Sequence, residues 1–468
     1  MDSYELTGLG LTPEVAVAQS RSRGSVTLSA HARQLMRESS LAVAEVSLRR
    51  HVYGRTTGVG ANRDVFTDAP DHGARLLASH SSTSTVAYPA DVTRLGVLIR
   101  VNQLAAGGSG LRPEIADALI QLLNADGLPT LHRGAAIGTG DLGALAELGL
   151  QLGDVVAGTD ALPLLSSNAF TLAEACLILV EIEELANVVP IIGAITHVAM
   201  GGNAAAYDER VHDARPHPGQ RIAAERIREL LAGATLTARR IQDPFGLRAF
   251  AQVLGPTIEQ LGSLRRSLTV DVNAAGENPL VTHDDVLHNG NWHAMPIALA
   301  LDSLRLSLHS VATLSTARLA NLMDPGYTGL SAFLASGDPA SSGVMIIEYV
   351  AHDALASVRA TAQPSTLGTA VLSRGAEHHA SFAPQAVALC GEQADALRTI
   401  LACELVAGCR AIRLAGTEPA HLLPAQVSAW LASALEALPA DLQDRSLARD
   451  VGVARRLLTE WGTARPGS

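Results

Sequence analysis

Hydrophobic residues recur along most of this chain at the three-to-four-residue spacing that predicts helices with a buried face. In the first part of the chain, this pattern predicts helices at about 92–106, at 114–124 directly after Pro113, and at 142–153 with Asp141 as the N-cap. The segment 51–60 is too rich in Gly and Thr for a helix interior and is predicted to be a loop. Longer helices are predicted near 168–200, 221–240, 255–274, 295–322, 343–362, 385–413 and 445–461.

Helices of this length, apolar on more than one face, are typical of a bundle core that neighbouring helices or partner subunits bury. Apolar residues make up 47% of the chain and aromatic residues 3%, so the core must consist of Ala, Leu, Val and Ile. The predicted fold class is therefore all-α, a long-helix bundle with a loop-rich N-terminal region. Because 468 residues exceed what one core usually holds, we expect an N-terminal region at 1–200 and a bundle with C-terminal helices at 201–468.

Charge and residue usage exclude several classes of function. The net charge of -11 is scattered along the chain, which argues against a nucleic-acid or membrane partner and favours a small molecule. All 35 basic residues are arginine, so Schiff-base chemistry, a pyridoxal phosphate anchor and a lysine-bearing phosphate loop are excluded. The four cysteines lie in apolar stretches without CxxC spacing, which favours buried thiols over disulfides or a metal site. No leader or membrane span is predicted, so a cytoplasmic protein is expected.

Polar chemistry in such a chain must lie where loops interrupt the Ala- and Leu-rich helices. Five segments concentrate Gly, Asn, Gln, His, Tyr or Arg: HVYGRTTGVG from His51, GAAIGTGDLGALAE from Gly134, QDPFGLR from Gln242, HNGNWHAMP from His288 and RGAEHHASFAP from Arg374. In this order they resemble the signature segments of the histidine and phenylalanine ammonia-lyases. The resemblance implies a fumarase-like helical bundle, although the fumarase loop itself carries a lysine that this chain lacks.

The resemblance also implies a prosthetic group made from the chain itself. In that family, Ala-Ser-Gly cyclises to 4-methylidene-imidazol-5-one, an electrophile, and the matching triplet here is Gly138-Thr139-Gly140. Flanking glycines permit the tight turn, and threonine can lose water but would leave an ethylidene whose extra methyl group hinders attack. The alternative is an unmodified turn that opens the next helix at Asp141.

Further catalytic roles are implied by the same resemblance. Tyr53 matches the general base, or else it is a buried tyrosine with a structural hydrogen bond. Arg248 matches the carboxylate clamp, with an interhelical salt bridge as its alternative. Gln242 matches an orienting glutamine, and Phe245 replaces a tyrosine that would donate a hydrogen bond. Glu377 matches an acidic position that receives the amino proton or holds an imidazole, unless it is a solvated glutamate beside two histidines.

The predicted substrate-binding residues are partly altered from the family pattern. His80 falls where histidine ammonia-lyases place an imidazole-reading histidine, or else it is a structural histidine of a polar helix or loop. Trp292 and His293 are assigned to the side-chain pocket. Ser166 stands where the family has a substrate-contacting asparagine, and Asn168 could compensate from two residues later. We expect no metal site, because the adjacent histidines after Glu377 lack a metal-binding helical spacing.

The resulting hypothesis is a carbon-nitrogen lyase that releases ammonia from histidine or a related α-amino acid, without an external cofactor. The resemblance implies a homotetramer with shared active sites. One alternative is an acid-base enzyme of specialised metabolism that performs elimination, addition or cyclisation on an unsaturated substrate without the imidazolone. The other is a non-catalytic relative.

Overall fold

The structure is a computed structural model that describes residues 3–156, 158–234, 237–416 and 425–464. Its helices up to Met200 are α1 (Pro13–Ser22), α2 (Ala30–Arg49), α3 (His72–His80), α4 (Ala90–Ala105), α5 (Pro113–Asn124), α6 (Leu142–Gln151), α7 (Ala161–Leu165) and α8 (Ala169–Met200). Those that follow are α9 (Glu209–Asp213), α10 (Pro218–Leu231), α11 (Phe245–Arg248), α12 (Phe250–Asp271), α13 (Met295–Met323), α14 (Pro325–Thr328), α15 (Ile346–Thr361), α16 (Ala383–Leu414), α17 (Ala425–Ala437) and α18 (Ala448–Thr463).

Strands play a minor part in this fold. Strand β1 (Tyr4–Leu6) pairs in parallel with β2 (Val26–Leu28), and β3 (Leu280–Val281) pairs antiparallel with β4 (Val286–Leu287). The predicted all-α class is confirmed.

Several helix starts have a local cause in the sequence. The Ser29 hydroxyl accepts a hydrogen bond from the Ala32 amide at 3.1 Å, and the Thr12 hydroxyl accepts one from the Val15 amide at 3.3 Å. Each bond satisfies one of the amides that a first helical turn leaves unpaired. Pro113 stands at the first position of α5, where a missing N–H costs nothing.

Most predicted helices are found within a few residues of their expected bounds, but the prediction at 221–240 is wrong at its C-terminal end. Helix α10 ends at Leu231, and Gly233 follows with a φ of 78°, a left-handed conformation that stops a helix. Helix α2 was not predicted, because its polar residues obscure a narrow buried face of Ala32, Met36, Ser39, Val43 and Val46.

The chain forms two compact units. The first contains 1–180, 264–302 and 364–388, and the second contains 181–263, 303–363 and 389–468. Most of the division points fall inside long helices, so no loop or change in composition marks them in the sequence. The predicted boundary at residue 200 stays a prediction, since these units are defined by contacts and not by independent folding.

Both units have cores of Ala, Leu, Val and Ile. The cysteines Cys176, Cys390, Cys403 and Cys409 are all buried and none forms a disulfide, as expected. Helix α13 is long and apolar enough to cross a membrane, but 61% of its most apolar window is buried within the protein, as in a core helix.

A fully buried ion pair lies in the core of the second unit. The Arg318 guanidinium donates to both carboxylate oxygens of Glu404 at 2.6 and 2.7 Å, and the two side chains are 1% and 0% exposed. Thr196 and Ser315 hydroxyls donate to the same carboxylate at 2.6 and 2.5 Å. Each carboxylate oxygen therefore has two donors, which compensates for the loss of its hydration.

We expect Arg318→Leu to lower the free energy of unfolding by about 3–5 kcal/mol, because it leaves the Glu404 carboxylate buried without its charge partner. Denaturant titration followed by circular dichroism measures the change. The matched control is Arg210→Leu, because the Arg210 side chain is 89% exposed in its ion pair with Asp208. Equal shifts for the two variants would contradict this account of the core.

Candidate active site

The triplet Gly138-Thr139-Gly140 forms a tight turn directly before α6. Gly138 and Gly140 have φ angles of 85° and 119°, in the region that side chains disfavour. A Cβ atom at position 138 would lie 1.8 Å from the Ser381 hydroxyl oxygen and 3.1 Å from the Ala383 amide nitrogen. Alanine, the usual first residue of the family's triplet, therefore does not fit this turn as it stands.

Hydrogen bonds hold the turn at both of its peptide ends. The Gly138 carbonyl oxygen accepts from the Ser381 hydroxyl at 3.2 Å and from the Ala294 amide at 3.3 Å. The Gly140 amide donates to the side-chain oxygen of Asn168 at 3.1 Å, and the Asn168 nitrogen donates to the Trp292 carbonyl at 2.6 Å. Residues from three of the five chemistry-bearing segments thus meet at this turn.

Asp141 occupies the N-cap position of α6, but its side chain caps no amide there. Instead, the carboxylate accepts from the Thr171 amide at 2.8 Å and from the Thr171 hydroxyl at 2.6 Å, in the first turn of α8. The prediction of a side-chain cap on α6 is therefore corrected. Asp141 is 1% exposed, and burial raises the pKa of its carboxyl to about 6.

A cavity of about 700 Å³ opens beside the triplet within the first unit. Six of the predicted site residues line it: Tyr53, His80, Thr139, Ser166, Trp292 and Glu377. Sequence reasoning did not assign His51, Arg63, Asp64, Asn278, His288 or Ser373, which also line it. Two of these, His51 and His288, lie inside the segments that carry the resemblance, and that position is the signal that could have found them.

Tyr53 is held by a backbone donor. Its phenolic oxygen accepts a hydrogen bond from the Gly60 amide at 2.8 Å. Burial raises the pKa of the Tyr53 phenol above its usual value, and the negative charge of Glu377 raises it further, while the Gly60 amide and Arg63 act in the opposite direction. In this structure Tyr53 is therefore protonated at neutral pH.

A contact between two loops positions Tyr53 relative to Glu377. The Ser373 hydroxyl accepts from the Ala61 amide at 2.7 Å, next to the glycine that binds Tyr53. Ser373 and Arg374 have φ angles of 52° and 55°, a strained conformation for residues with side chains. A backbone bridge between Leu372 and Glu377 closes the same loop and places the glutamate on the cavity wall.

The remaining substrate-binding candidates of this unit divide into two groups. His80 lies at the end of α3, and its Nδ1 atom is 2.9 Å from the Leu76 carbonyl, which engages one of its two ring nitrogens. The Ser166 hydroxyl accepts from the Asn278 amide at 3.0 Å on the cavity wall. Asn168 and His293 do not line the cavity; Asn168 supports the triplet, as described above.

His293 pairs instead with another histidine. Its Nε2 atom is 3.0 Å from Nδ1 of His379, and the two ring centroids are 5.1 Å apart. Burial, and then the neighbouring His379, lower the pKa of His293. Among the residues that the structure describes, no group of three or more His, Cys, Asp or Glu side chains is arranged to hold a metal ion.

Gln242, Phe245 and Arg248 form a separate cluster in the second unit. The Arg248 guanidinium lies 4.6 Å from the Phe245 ring centroid, and its Nε donates to the Asp243 carbonyl at 3.1 Å. With its amide oxygen turned inward, Gln242 accepts from both terminal nitrogens of Arg248 at 2.8 Å. Phe245 is 66% exposed, so the cluster presents an aromatic ring to solvent.

Comparison with known proteins relates this chain to one family. The model of the aromatic amino acid lyase family matches residues 11–156 and 155–438. The histidine ammonia-lyase of Symbiobacterium thermophilum is 32% identical, over 98% of this chain and 97% of the relative. That of Legionella pneumophila strain Paris is also 32% identical, over 83% of this chain and 84% of the relative.

Solved structures show the same fold at lower identity. Ergothionase from Treponema denticola, described as an ergothioneine-degrading enzyme, has a TM-score of 0.92 at 24% identity, covering 98% of this chain and 99% of its own. Histidine ammonia-lyase from Trypanosoma cruzi has a TM-score of 0.87 at 24% identity, covering 98% and 94% of the two chains. With the family match and the relatives above, the chain belongs to the aromatic amino acid lyase family and is a lyase-type enzyme.

Proposed function

We propose that this enzyme releases ammonia from histidine or a related α-amino acid and gives an α,β-unsaturated acid. The observation that carries the proposal is the convergence of Thr139, Tyr53 and Glu377 on one cavity that His80 and Trp292 also line. The similarity to proteins named histidine ammonia-lyase supports the choice of substrate class. The structures with a similar fold also include a tyrosine aminomutase. Rearrangement of the amino acid, in place of release of ammonia, is therefore a variant of the proposed reaction.

Members of this family use an autocatalytic methylidene-imidazolone and no external cofactor. Such a group supplies an electrophile that draws electrons from the substrate and lets its amino group depart. The residues present here fit its formation, because both glycines of the triplet have positive φ angles that permit a tight turn and Thr139 lies on the cavity wall. The threonine methyl group would remain on the attacked carbon and slow the reaction.

Tyr53 is proposed to remove the β-proton of the substrate. Because burial raises its pKa, the phenolate forms only at higher pH than for a free tyrosine, and the Gly60 amide and Arg63 are the groups that favour the phenolate. Glu377 is proposed to take up the amino proton or to hold an imidazole. His80 and Trp292 form the proposed side-chain pocket, with Ser166 as a smaller polar contact than the family's asparagine.

Carboxylate binding is assigned to Arg248, whose planar fork of donors suits a carboxylate and is oriented by Gln242. Neither residue lines the cavity of the protomer. We propose a homotetramer with shared active sites, in which this cluster lies at the cavity of another subunit. We also propose that the enzyme is cytoplasmic. Phe245 stands where the family has a hydrogen-bonding tyrosine, so that contact is replaced by an apolar one.

A second candidate function is acid-base elimination, addition or cyclisation on an unsaturated substrate, without the imidazolone. It is favoured by the three altered positions, Thr139, Ser166 and Phe245, which leave the acid-base pair of Tyr53 and Glu377 in place. Ammonia release from a panel of histidine, phenylalanine and tyrosine separates the two candidates. Formation of ammonia together with an ultraviolet-absorbing unsaturated acid supports the lyase, and its absence with every amino acid favours the alternative.

Tyr53→Phe should lower kcat by about 10²–10⁴-fold, because it removes the proposed base, together with the hydrogen bond that the phenol accepts from the Gly60 amide. The thermal unfolding midpoint should change little, since the ring and its packing remain. Steady-state ammonia release and differential scanning calorimetry measure the two effects. Wild-type turnover in the variant would remove Tyr53 from the reaction.

Ser373→Ala should move the rising limb of the pH–activity profile to higher pH. The hydrogen bond from the Gly60 amide lowers the pKa of Tyr53. Loss of the Ser373 hydroxyl frees the Ala61 amide and loosens the neighbouring Gly60 amide. The pKa of the phenol therefore rises, and the phenol becomes a weaker acid. The control is Ser22→Ala, an exposed serine at the end of α1. An unshifted profile for Ser373→Ala would show that the contact between the two loops does not act on Tyr53.

A further inference from the structure

The two peptide groups that would have to react in ring closure both have hydrogen-bond partners suited to that reaction. Closure joins the Gly140 nitrogen to the Gly138 carbonyl carbon. The oxygen on that carbon faces two donors, the Ser381 hydroxyl at 3.2 Å and the Ala294 amide at 3.3 Å. The Gly140 nitrogen faces an acceptor, the Asn168 side-chain oxygen at 3.1 Å.

We propose that Ser381, with the Ala294 amide, activates the Gly138 carbonyl for cyclisation of the triplet, and that Asn168 orients the Gly140 nitrogen for the attack. This inference rests on the proposed function, since it assigns residues to the formation of the electrophile. Ser381, the Ala294 amide and Asn168 lie outside the triplet, and their proposed role is to promote its cyclisation.

The step balances without an external reactant. As the N–C bond forms, the Gly138 carbonyl oxygen becomes negative, and two donors aimed at it stabilise that charge as an oxyanion hole does. This oxygen then leaves as water with the protons of the Gly140 and Thr139 nitrogens, and a C=N bond results. A second water takes the Thr139 hydroxyl and its α-proton and leaves a Cα=Cβ bond. No atom is oxidised or reduced by an outside agent.

Burial makes these contacts specific. Ser381 is 0% exposed and its hydroxyl oxygen also accepts from the Ala383 amide at 3.3 Å, which fixes the side chain on the carbonyl. Asn168 is held in turn by the Trp292 carbonyl at 2.6 Å, so its oxygen is the end that faces Gly140. In a site that excludes water, such prearranged donors act more strongly than they would in solvent.

The same geometry accounts for the glycine at position 138. A Cβ atom there would stand 1.8 Å from the Ser381 oxygen, so a methyl group and this hydroxyl compete for one place. An alanine at position 138, as in the family's usual triplet, would therefore displace the hydroxyl from the carbonyl. The proposal thus predicts that restoring the family's first residue hinders ring formation in this chain.

The test is the intact mass of the purified full-length chain, followed over time after synthesis. The wild-type chain should be lighter than its sequence by two water molecules. In Ser381→Ala, dehydration should slow by about 10²-fold, the effect of removing one oxyanion donor. Ser381→Thr, which keeps the hydroxyl, should restore the wild-type rate of dehydration. The control is Ser167→Ala, because that buried hydroxyl donates to Gln103 and not to the triplet.

The outcomes separate this proposal from the proposed function. A dehydrated wild type with Ser381→Ala dehydrating as fast as Ser167→Ala would overturn the role of Ser381 and leave the lyase intact. A wild type at full mass would overturn both. Circular dichroism shows whether each variant is folded, and if Ser381→Ala does not fold, Gly138→Ala decides: slow dehydration supports the proposal, and a wild-type rate refutes it.

Discussion

The close approach of the Gly138 backbone to Ser381 is the constraint on which the candidate site depends. Only a residue without a Cβ leaves room for the buried hydroxyl beside the Gly138 carbonyl, and the turn that results directs Thr139 to the cavity. The Gly140 amide of this turn binds the Asn168 side chain, which also reaches the Trp292 carbonyl, and the adjacent Asp141 reaches the first turn of α8. Loops that are far apart in the sequence are therefore fixed around one peptide segment.

The charges and hydrogen-bond donors around Tyr53 determine whether its phenol can act as a base. The protomer by itself raises the pKa of this phenol through burial and the charge of Glu377, so a working base needs more positive charge or more donors than the protomer supplies. The proposed sharing of sites among subunits meets this need, because it would add the cation Arg248. The exposed Phe245 and Gln242 beside that arginine fit a surface that becomes covered on assembly.

The sequence predicted the helical class and much of the site for definite physical reasons. Prolines and the apolar period located α5 and α13 closely, whereas a glycine conformation ended α10 earlier than the period suggested. The family-like segments named six residues that do line the cavity. They could not show that the Asn168 amide binds the triplet and does not line the cavity. That role depends on two contacts distant in sequence, from its oxygen to the Gly140 amide and from its nitrogen to the Trp292 carbonyl.

The departure at Thr139 could be read from the sequence, but the reason for Gly138 could not, since it lies in a contact with a residue more than two hundred positions away. Domain boundaries were equally hidden, because most division points fall within continuous helices. Long-range packing of this kind leaves no local signal in composition or spacing.

Whether the Thr139 turn provides the electrophile of an ammonia-lyase is decided by ammonia release from histidine, measured for Thr139→Ser and for the wild type. We expect the serine variant to lose two water molecules and to release ammonia faster than the wild type, because the hindering methyl group is gone. If both chains kept their full mass and neither released ammonia, this role of the Thr139 turn would be contradicted and acid-base chemistry without an electrophile would be the better explanation.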